Sequence, residues 1–279
     1  MSDVRIRTYA ELLADYTRER SDPDRHPVHL GFGTIDAEIR GVSPGQVLGI
    51  AARTSVGKTW LLEAIEHNLA ARGDVGCLSL SLEMPGPEWA ERALAIHADV
   101  APETVEAWAR QGSLDENARS FLARMRHALV VEEARGRLDV PLRVVLVDYA
   151  GLLAVNGRDA YDRASTLAKG LKMHAKALGV ALIVAMQLSR AGGDGSEEVT
   201  ATMLRDSGVL EESVDFLLGA WRPGKAKNLD LPDALNLAEV LRVAVLKNRK
   251  GKDGRVVDLR FRSESRRLYE EADPFVAAR

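Results

Sequence analysis

The sequence predicts an α/β fold: a mostly parallel central sheet, helices on both faces, and a C-terminal β-hairpin. Three observations predict it. From about residue 44, short β-rich runs alternate with amphipathic segments, the pattern of a three-layer α/β domain. The first five runs are apolar nearly throughout, as strands covered on both faces are. The last two alternate in polarity and are joined by Gly251-Lys252-Asp253-Gly254, a turn signal between antiparallel strands.

Taken in order, residues 1–25 are polar, with Tyr9, Leu12, Leu13 and Tyr16 on one helical stripe. Asp22-Pro23 and His26-Pro27 break that pattern. This reads as a helix on a tether whose apolar side needs a partner, in its own chain or a neighbour. The β-like runs are Val47–Ala52, Val75–Leu82, Leu129–Val131, Val144–Asp148, Val180–Gln187, Val214–Trp221, Val240–Lys247 and Val256–Arg262. Helical patterns fill 57–72, 86–98, 102–111, 115–127 and 163–178. Only 12 residues separate Val131 from Val144, the minimum for a parallel crossover. The expected organisation is an N-terminal helical arm at 1–30 and one domain at 31–279.

Composition excludes several classes. No stretch of about 20 apolar residues exists to span a bilayer, and the charged N-terminus has no apolar core of a signal peptide. The single cysteine, Cys77, forms no internal disulfide or Cys-based zinc site and reads as a small core residue. A cytoplasmic location is expected. Lys plus Arg is 38 and Asp plus Glu is 41, a net charge of −3. That argues against binding nucleic acid by bulk charge but leaves room for local basic loops.

One motif carries explicit chemistry. Ala52-Arg53-Thr54-Ser55-Val56-Gly57-Lys58-Thr59 follows the strand GQVLGIAA and precedes the helix WLLEAIEHNLAAR. It matches the phosphate-loop pattern G-x-x-x-x-G-K-S/T except that Ala52 takes the first glycine's place. In such a loop, backbone N–H groups and the helix N-terminus face a polyphosphate. Gly57 permits close approach, Lys58 reaches the β and γ phosphates, and the Thr59 hydroxyl ligates Mg²⁺. The strand LRVVLVDY ends in Asp148, where a carboxylate holds the Mg²⁺ shell, through water, in phosphate-loop folds. ATP and Mg²⁺ are the expected ligands.

The loop with its leading Ala resembles that of the DnaB-type replicative helicases, a branch of the RecA-like ATPases. Other segments agree in order: Gly31-Phe32-Gly33-Thr34-Ile35-Asp36, Ser81-Leu82-Glu83-Met84, Asp148-Tyr149, Gln187-Leu188-Ser189-Arg190, Leu204-Arg205-Asp206-Ser207-Gly208 and Lys247-Asn248-Arg249. The likeness runs from about residue 6 to 270. It does not extend to the helical N-terminal domain of those helicases, and the 1–25 arm fits their linker helix. The resemblance implies a RecA-like P-loop NTPase core in which Glu83 is the general base that activates water. Gln187 would sense the γ-phosphate, and Arg92 would pack on the nucleotide base. Lys247 and Arg249 would act on a neighbouring subunit's nucleotide as arginine fingers do. Alternation about Asn248 is expected to point both the same way on a strand.

The resemblance further implies a hexameric ring around single-stranded DNA. Two loops would meet the strand. One follows Asp148 and carries Arg158 and Arg163. The other follows Gln187 and carries Arg190, Arg205, Asp206 and Gly208. Such contacts hold the backbone without reading sequence. The implied function is an ATP-hydrolysing DNA helicase or translocase in replication, with a loader or other replication proteins as further partners. Lys247-Asn248-Arg249-Lys250-Gly251 also resembles a segment of RadA-type recombination ATPases, which keeps a recombination motor open. A nucleotide-dependent assembly or regulatory module that does not translocate is a further alternative.

Overall fold

A computed structural model describes residues 7–73, 75–114, 128–130, 142–153, 155–188, 193–203, 213–226 and 229–271. The helix expected at 115–127, the 131–141 crossover, and Arg190, Arg205, Asp206 and Gly208 lie outside them.

The strands are β1 (Val47–Ala52), β2 (Gly76–Ser81), β3 (Ala128–Val130), β4 (Leu142–Asp148), β5 (Ala181–Gln187), β6 (Phe216–Trp221), β7 (Val240–Asn248), β8 (Val256–Phe261) and β9 (Leu268–Glu270). They form one sheet in the order β3-β2-β4-β5-β1-β6-β7-β8-β9. Pairing is parallel from β3 to β6 and antiparallel from β6 to β9. The eight expected runs are therefore all strands, displaced by a residue or two at several ends, where boundaries are least determined.

The helices are α1 (Tyr9–Ser21), α2 (Gly33–Ile39), α3 (Lys58–Arg72), α4 (Gly86–Ala98), α5 (Pro102–Arg110), α6 (Ala160–Leu178) and α7 (Leu231–Leu237), beside short 3-10 turns at Pro23–Arg25, Ala150–Leu152 and Pro223–Lys225. Alternate residues of the central strands feed two cores. Leu48 and Ile50 of β1 pack with Leu61, Leu62, Ile65 and Leu69 of α3. Val47 and Ala51 join Leu167 and Ala175 of α6 on the opposite face. Each fully buried Leu or Ile contributes about 1.5–3 kcal/mol, so these two layers, rather than exposed ion pairs, set the fold. Cys77 is fully buried among them.

Three short elements escaped the sequence pattern. The α7 helix starts at an Asp230 cap and buries none of its residues, so it leaves no periodic signal. The β9 strand has three residues, too few for alternation to register. In α2, Asp36 is the organising residue: its carboxylate accepts the N–H groups of Leu30 at 2.6 Å, Gly31 at 2.8 Å and Phe32 at 3.2 Å. Gly31 sits at φ +85°, and a Cβ there would lie 2.5 Å from the Asn68 side chain. The expected helix 163–178 begins earlier, at Ala160, because Asp159 caps it by accepting from Asp162 N–H at 2.8 Å.

The N-terminal helix is sealed by a capping box. Thr8 Oγ1 accepts from Glu11 N–H at 3.2 Å, and the Glu11 carboxylate accepts from Thr8 N–H at 2.7 Å. Its apolar stripe is uncovered in the chain, with Tyr9 92% and Leu13 65% exposed. Behind it, Arg143 of β4 donates to the carbonyls of Pro23, at 2.7 Å, and His26. That clasp fixes the tether, and Val28 then pairs with Val42 at the start of the body.

A buried carboxyl fastens α3 to α4. Glu66 accepts from Ser79 Oγ at 2.8 Å and from Trp89 Nε1 at 2.7 Å. Burial pushes its pKa from an ordinary 4.5 up to about 7, against the two hydrogen bonds, which pull it down. The fold thus favours the neutral carboxyl. The stability this group lends is complete below its unfolded value, near pH 4.5, and is lost as pH rises through about 7. The difference corresponds to about 3 kcal/mol. Glu66→Gln stays neutral and keeps the shape. Its melting temperature is expected to overtake that of the wild type between about pH 5 and 8, by about 5 °C or more at the upper end. Parallel melting curves across that range would contradict this.

Candidate functional site

Parallel strands place their carboxyl ends, and the loops that leave them, along one edge of the sheet, where ligands of open α/β folds bind. Register decides which residues meet there. Ala52 lies opposite Gln187, and Ser81 lies opposite Asp148. Leu82 N–H donates to Asp148 O at 2.7 Å, so Glu83 emerges beside Asp148.

The segment 53–57 turns from β1 into α3, as its sequence requires. Ser55 adopts φ 60° and Gly57 φ 122°; the latter is a conformation that favours glycine. Thr54 through Thr59 line a cleft of 440 Å³ together with Glu83, Arg92 and Gln187. Gln187 Nε2 donates to Thr54 Oγ1 at 3.0 Å. Lys58 is buried, and its Nζ donates to Arg53 O at 3.2 Å. Burial holds the Lys58 pKa below its ordinary value, while the charges of Asp148 and Glu83 pull it up. Asp148 is raised above the usual carboxylate range, chiefly by burial and against its hydrogen bond from Thr59.

The donor set suits a hard divalent cation. Thr59 Oγ1 donates to Asp148 Oδ2 at 2.7 Å, while Asp148 Oδ1 is buried with no hydrogen-bond partner. A hydroxyl and a carboxylate with a spare oxygen, beside a phosphate loop, are ligands that Mg²⁺ accepts, directly or through water.

Several expected residues lie elsewhere. Ala52 is fully buried in the sheet and accepts from Leu188 N–H at 3.0 Å; it supports the loop and does not line the cleft. Arg53 also turns away, with Nη2 3.5 Å from Glu197 Oε2. Lys247 and Arg249 are absent from the cleft wall of their own chain. The expected shared direction of that pair rests on strand alternation, which does not reach Arg249: β7 ends at Asn248, and Arg249 begins the turn. A register irregularity opposite Leu217 and Leu218 further offsets that end of the strand. Arg158 is 92% exposed, with Nε 3.6 Å from Asp162 Oδ2. Arg163 sits in the first turns of α6 against Gly157.

The cleft also holds four residues the sequence did not single out: Trp60, Arg222, Phe261 and Arg266. Arg92 stacks over the Trp60 ring at 4.8 Å, and Arg222 over Phe261 at 5.1 Å. Each contact is worth about 0.5–1 kcal/mol where partly exposed. A Cβ on Gly57 would lie 3.2 Å from Phe261 Cζ, so the far hairpin seats its aromatic ring against the phosphate loop. Trp60 could have been read from its place after Thr59. The other three arrive from the end of β6 and from the antiparallel strands, and no local motif marks them. A larger concavity of 630 Å³ shares Phe261 but none of the expected residues.

The loop after β5 is packed directly on the phosphate loop. A Cβ at Gly195 would lie 2.7 Å from Val56 Cγ2. Arg222 N–H donates to Gly195 O at 2.8 Å, and Glu197 faces Arg53 as above.

A phosphate loop leaving the central strand of such a sheet, its threonine bonded to a strand-end aspartate, defines a phosphate-loop nucleotide-binding fold of the RecA-like class. The particular family follows from comparison. The model of the DnaB-like helicase C terminal domain family matches residues 27–270, and the chain belongs to that family. It is similar to the replicative DNA helicase DnaB of Pasteurella multocida, 29% identical over 262 residues, covering 86% of this chain and 55% of that protein. The replicative DNA helicase DnaB of Geobacillus stearothermophilus is 24% identical, covering 92% of this chain and 59% of the relative. The chain thus spans about half the length of the curated relatives it matches. Among solved structures, an isolated ATPase domain superposes with a TM-score of 0.77 at 23% identity, over 96% of this chain and 99% of that one. A DnaB-like replicative helicase studied for its interactions with primase gives 0.74 at 23% identity, over 96% and 68%. These two likenesses establish the fold.

Proposed function

We propose that this chain is the motor domain of a DnaB-type replicative DNA helicase, which hydrolyses ATP and moves along single-stranded DNA as a ring, most simply a hexamer. The observation that carries the reading is the cleft. Lys58, Glu83 and Gln187 converge in it beside the Thr59–Asp148 pair, whereas Arg249 stands outside it. That division leaves half of a hydrolytic site for a second copy to complete. Glu83 would activate the attacking water, and Gln187 would hydrogen-bond the γ-phosphate. Arg92 would pack on the base. Thr59 and Asp148 would hold Mg²⁺, which neutralises phosphate charge when bound.

The remaining assignments are of the same kind. Arg158, Arg163, Arg190, Arg205, Asp206 and Gly208 would meet the DNA backbone on the two loops. The 1–30 arm would dock its uncovered Tyr9, Leu12, Leu13 and Tyr16 stripe on a neighbouring copy. The setting would be the cytoplasm, with primase or a loader as further partners. The family match favours this over the recombination reading. Adding single-stranded DNA is expected to raise ATP turnover at least about tenfold, and rings supplied with ATP should unwind a forked duplex. Turnover that ignores DNA, with no ring formed in ATP, would leave a nucleotide-dependent module and sink the motor.

Among the described residues no helix is long and apolar enough to cross a membrane.

A further inference from the structure

Arg249 is half exposed, with 52% of its side chain accessible, yet a buried residue holds both its backbone and its guanidinium. Its Nη1 donates to Asp215 Oδ1 at 3.1 Å, and its backbone N–H donates to Asp215 O at 3.2 Å. Asp215 is 3% exposed. Its second oxygen, Oδ2, accepts from Val47 N–H at 2.8 Å and from the Lys172 ammonium. Asp215 N–H in turn donates to Val47 O at 2.8 Å. One carboxylate therefore joins the first residue of β1, the middle of α6 and the turn after β7.

We infer that Asp215 is the positioning residue for Arg249: it aims the guanidinium toward the nucleotide of the neighbouring copy and ties that aim to β1, the strand that carries this copy's own phosphate loop. The inference rests on the proposed action of Arg249 across the interface. Its physical basis is entropy and desolvation. A long arginine side chain on a turn samples many rotamers, and fixing them opposes catalysis. A buried carboxylate that already satisfies a backbone N–H and an ammonium cannot follow the arginine outward, so it restricts the arginine instead. A guanidinium has five N–H donors, so pairing with Asp215 does not by itself exhaust its capacity for phosphate contact. The same anchor lets a shift of β1 in one copy reach the site of the next.

The test uses Asp215→Asn, Arg249→Ala and the double variant in the full chain. It measures melting temperature, affinity for a fluorescent ATP analogue, kcat and KM. Asp215→Asn keeps an oxygen for Val47 N–H. It is expected to bind nucleotide as the wild type does, with kcat about 10²-fold lower and KM unchanged. The double variant should be no slower than Arg249→Ala alone. Mixing Asp215→Asn with Glu83→Gln subunits should restore turnover, because the latter supply a well-held Arg249. Wild-type turnover by Arg249→Ala overturns the trans reading and this inference together. An inactive Arg249→Ala beside an Asp215→Asn of wild-type kcat overturns the inference alone. So do weakened nucleotide binding, additive losses, or no rescue in mixed rings. If Asp215→Asn melts far below the wild type, Asp215→Glu replaces it. That variant keeps the charge and displaces the anchor by one methylene, with the same expected split; a wild-type kcat there also overturns the inference.

Discussion

Replacing Lys58 by alanine is expected to weaken nucleotide binding by at least about 10²-fold and to bring ATP turnover to background. The size follows from what surrounds the ammonium. It is buried, and the charges of Asp148 and Glu83 act on it. Without it, those two carboxylates face an incoming polyphosphate with no lysine between them. Removing one partner of a buried charged pair costs about 2–5 kcal/mol, and each 1.36 kcal/mol is about a factor of ten. The folded chain should not suffer, because the variant removes a desolvated charge. Titration with a fluorescent nucleotide, beside a melting curve, separates these effects. Near-wild-type hydrolysis would remove the phosphate-loop assignment.

Arg249→Ala is the second large effect, and it should divide binding from chemistry. Nucleotide affinity is expected to stay within a few-fold of the wild type, since Arg249 does not line the cleft of its own chain. Turnover should fall about 10³-fold or more, the scale on which an arginine finger acts. Mixing Arg249→Ala with Glu83→Gln chains should then return part of the activity. In rings assembled at random from equal amounts of the two, about a quarter of the interfaces join an intact Glu83 to an intact Arg249 from the other copy. Intact rings that fail to complement would count against action across the interface.

The fold was legible because its strands are buried on both faces and its helices are amphipathic, so Val47–Ala52 or Ala181–Gln187 announce themselves by composition alone. The phosphate loop was legible because backbone geometry restricts which residues serve there. Glu83 and Gln187 were readable only through order along the chain and likeness to a family, since a strand-end Glu or Gln has no signature of its own. Phe261 and Arg222 were not readable at all. The place of Phe261 against Gly57, and of Arg222 over that ring, comes from β6 lying next to β1 and the antiparallel strands following beyond it, an outcome of tertiary register. Arg53 is the opposite case: it sits inside the motif, and its side chain turns to Glu197.

The contact of Gly195 with Val56 bears on stiffness. Two loops that would answer different ligands approach where the Val56 side chain faces Gly195, too close for a β-carbon at 195. Packed matter of this kind is nearly incompressible. A displacement of the phosphate loop by a few tenths of an ångström would therefore press on the other loop at this point. The closeness of that approach depends on the missing β-carbon of a single residue.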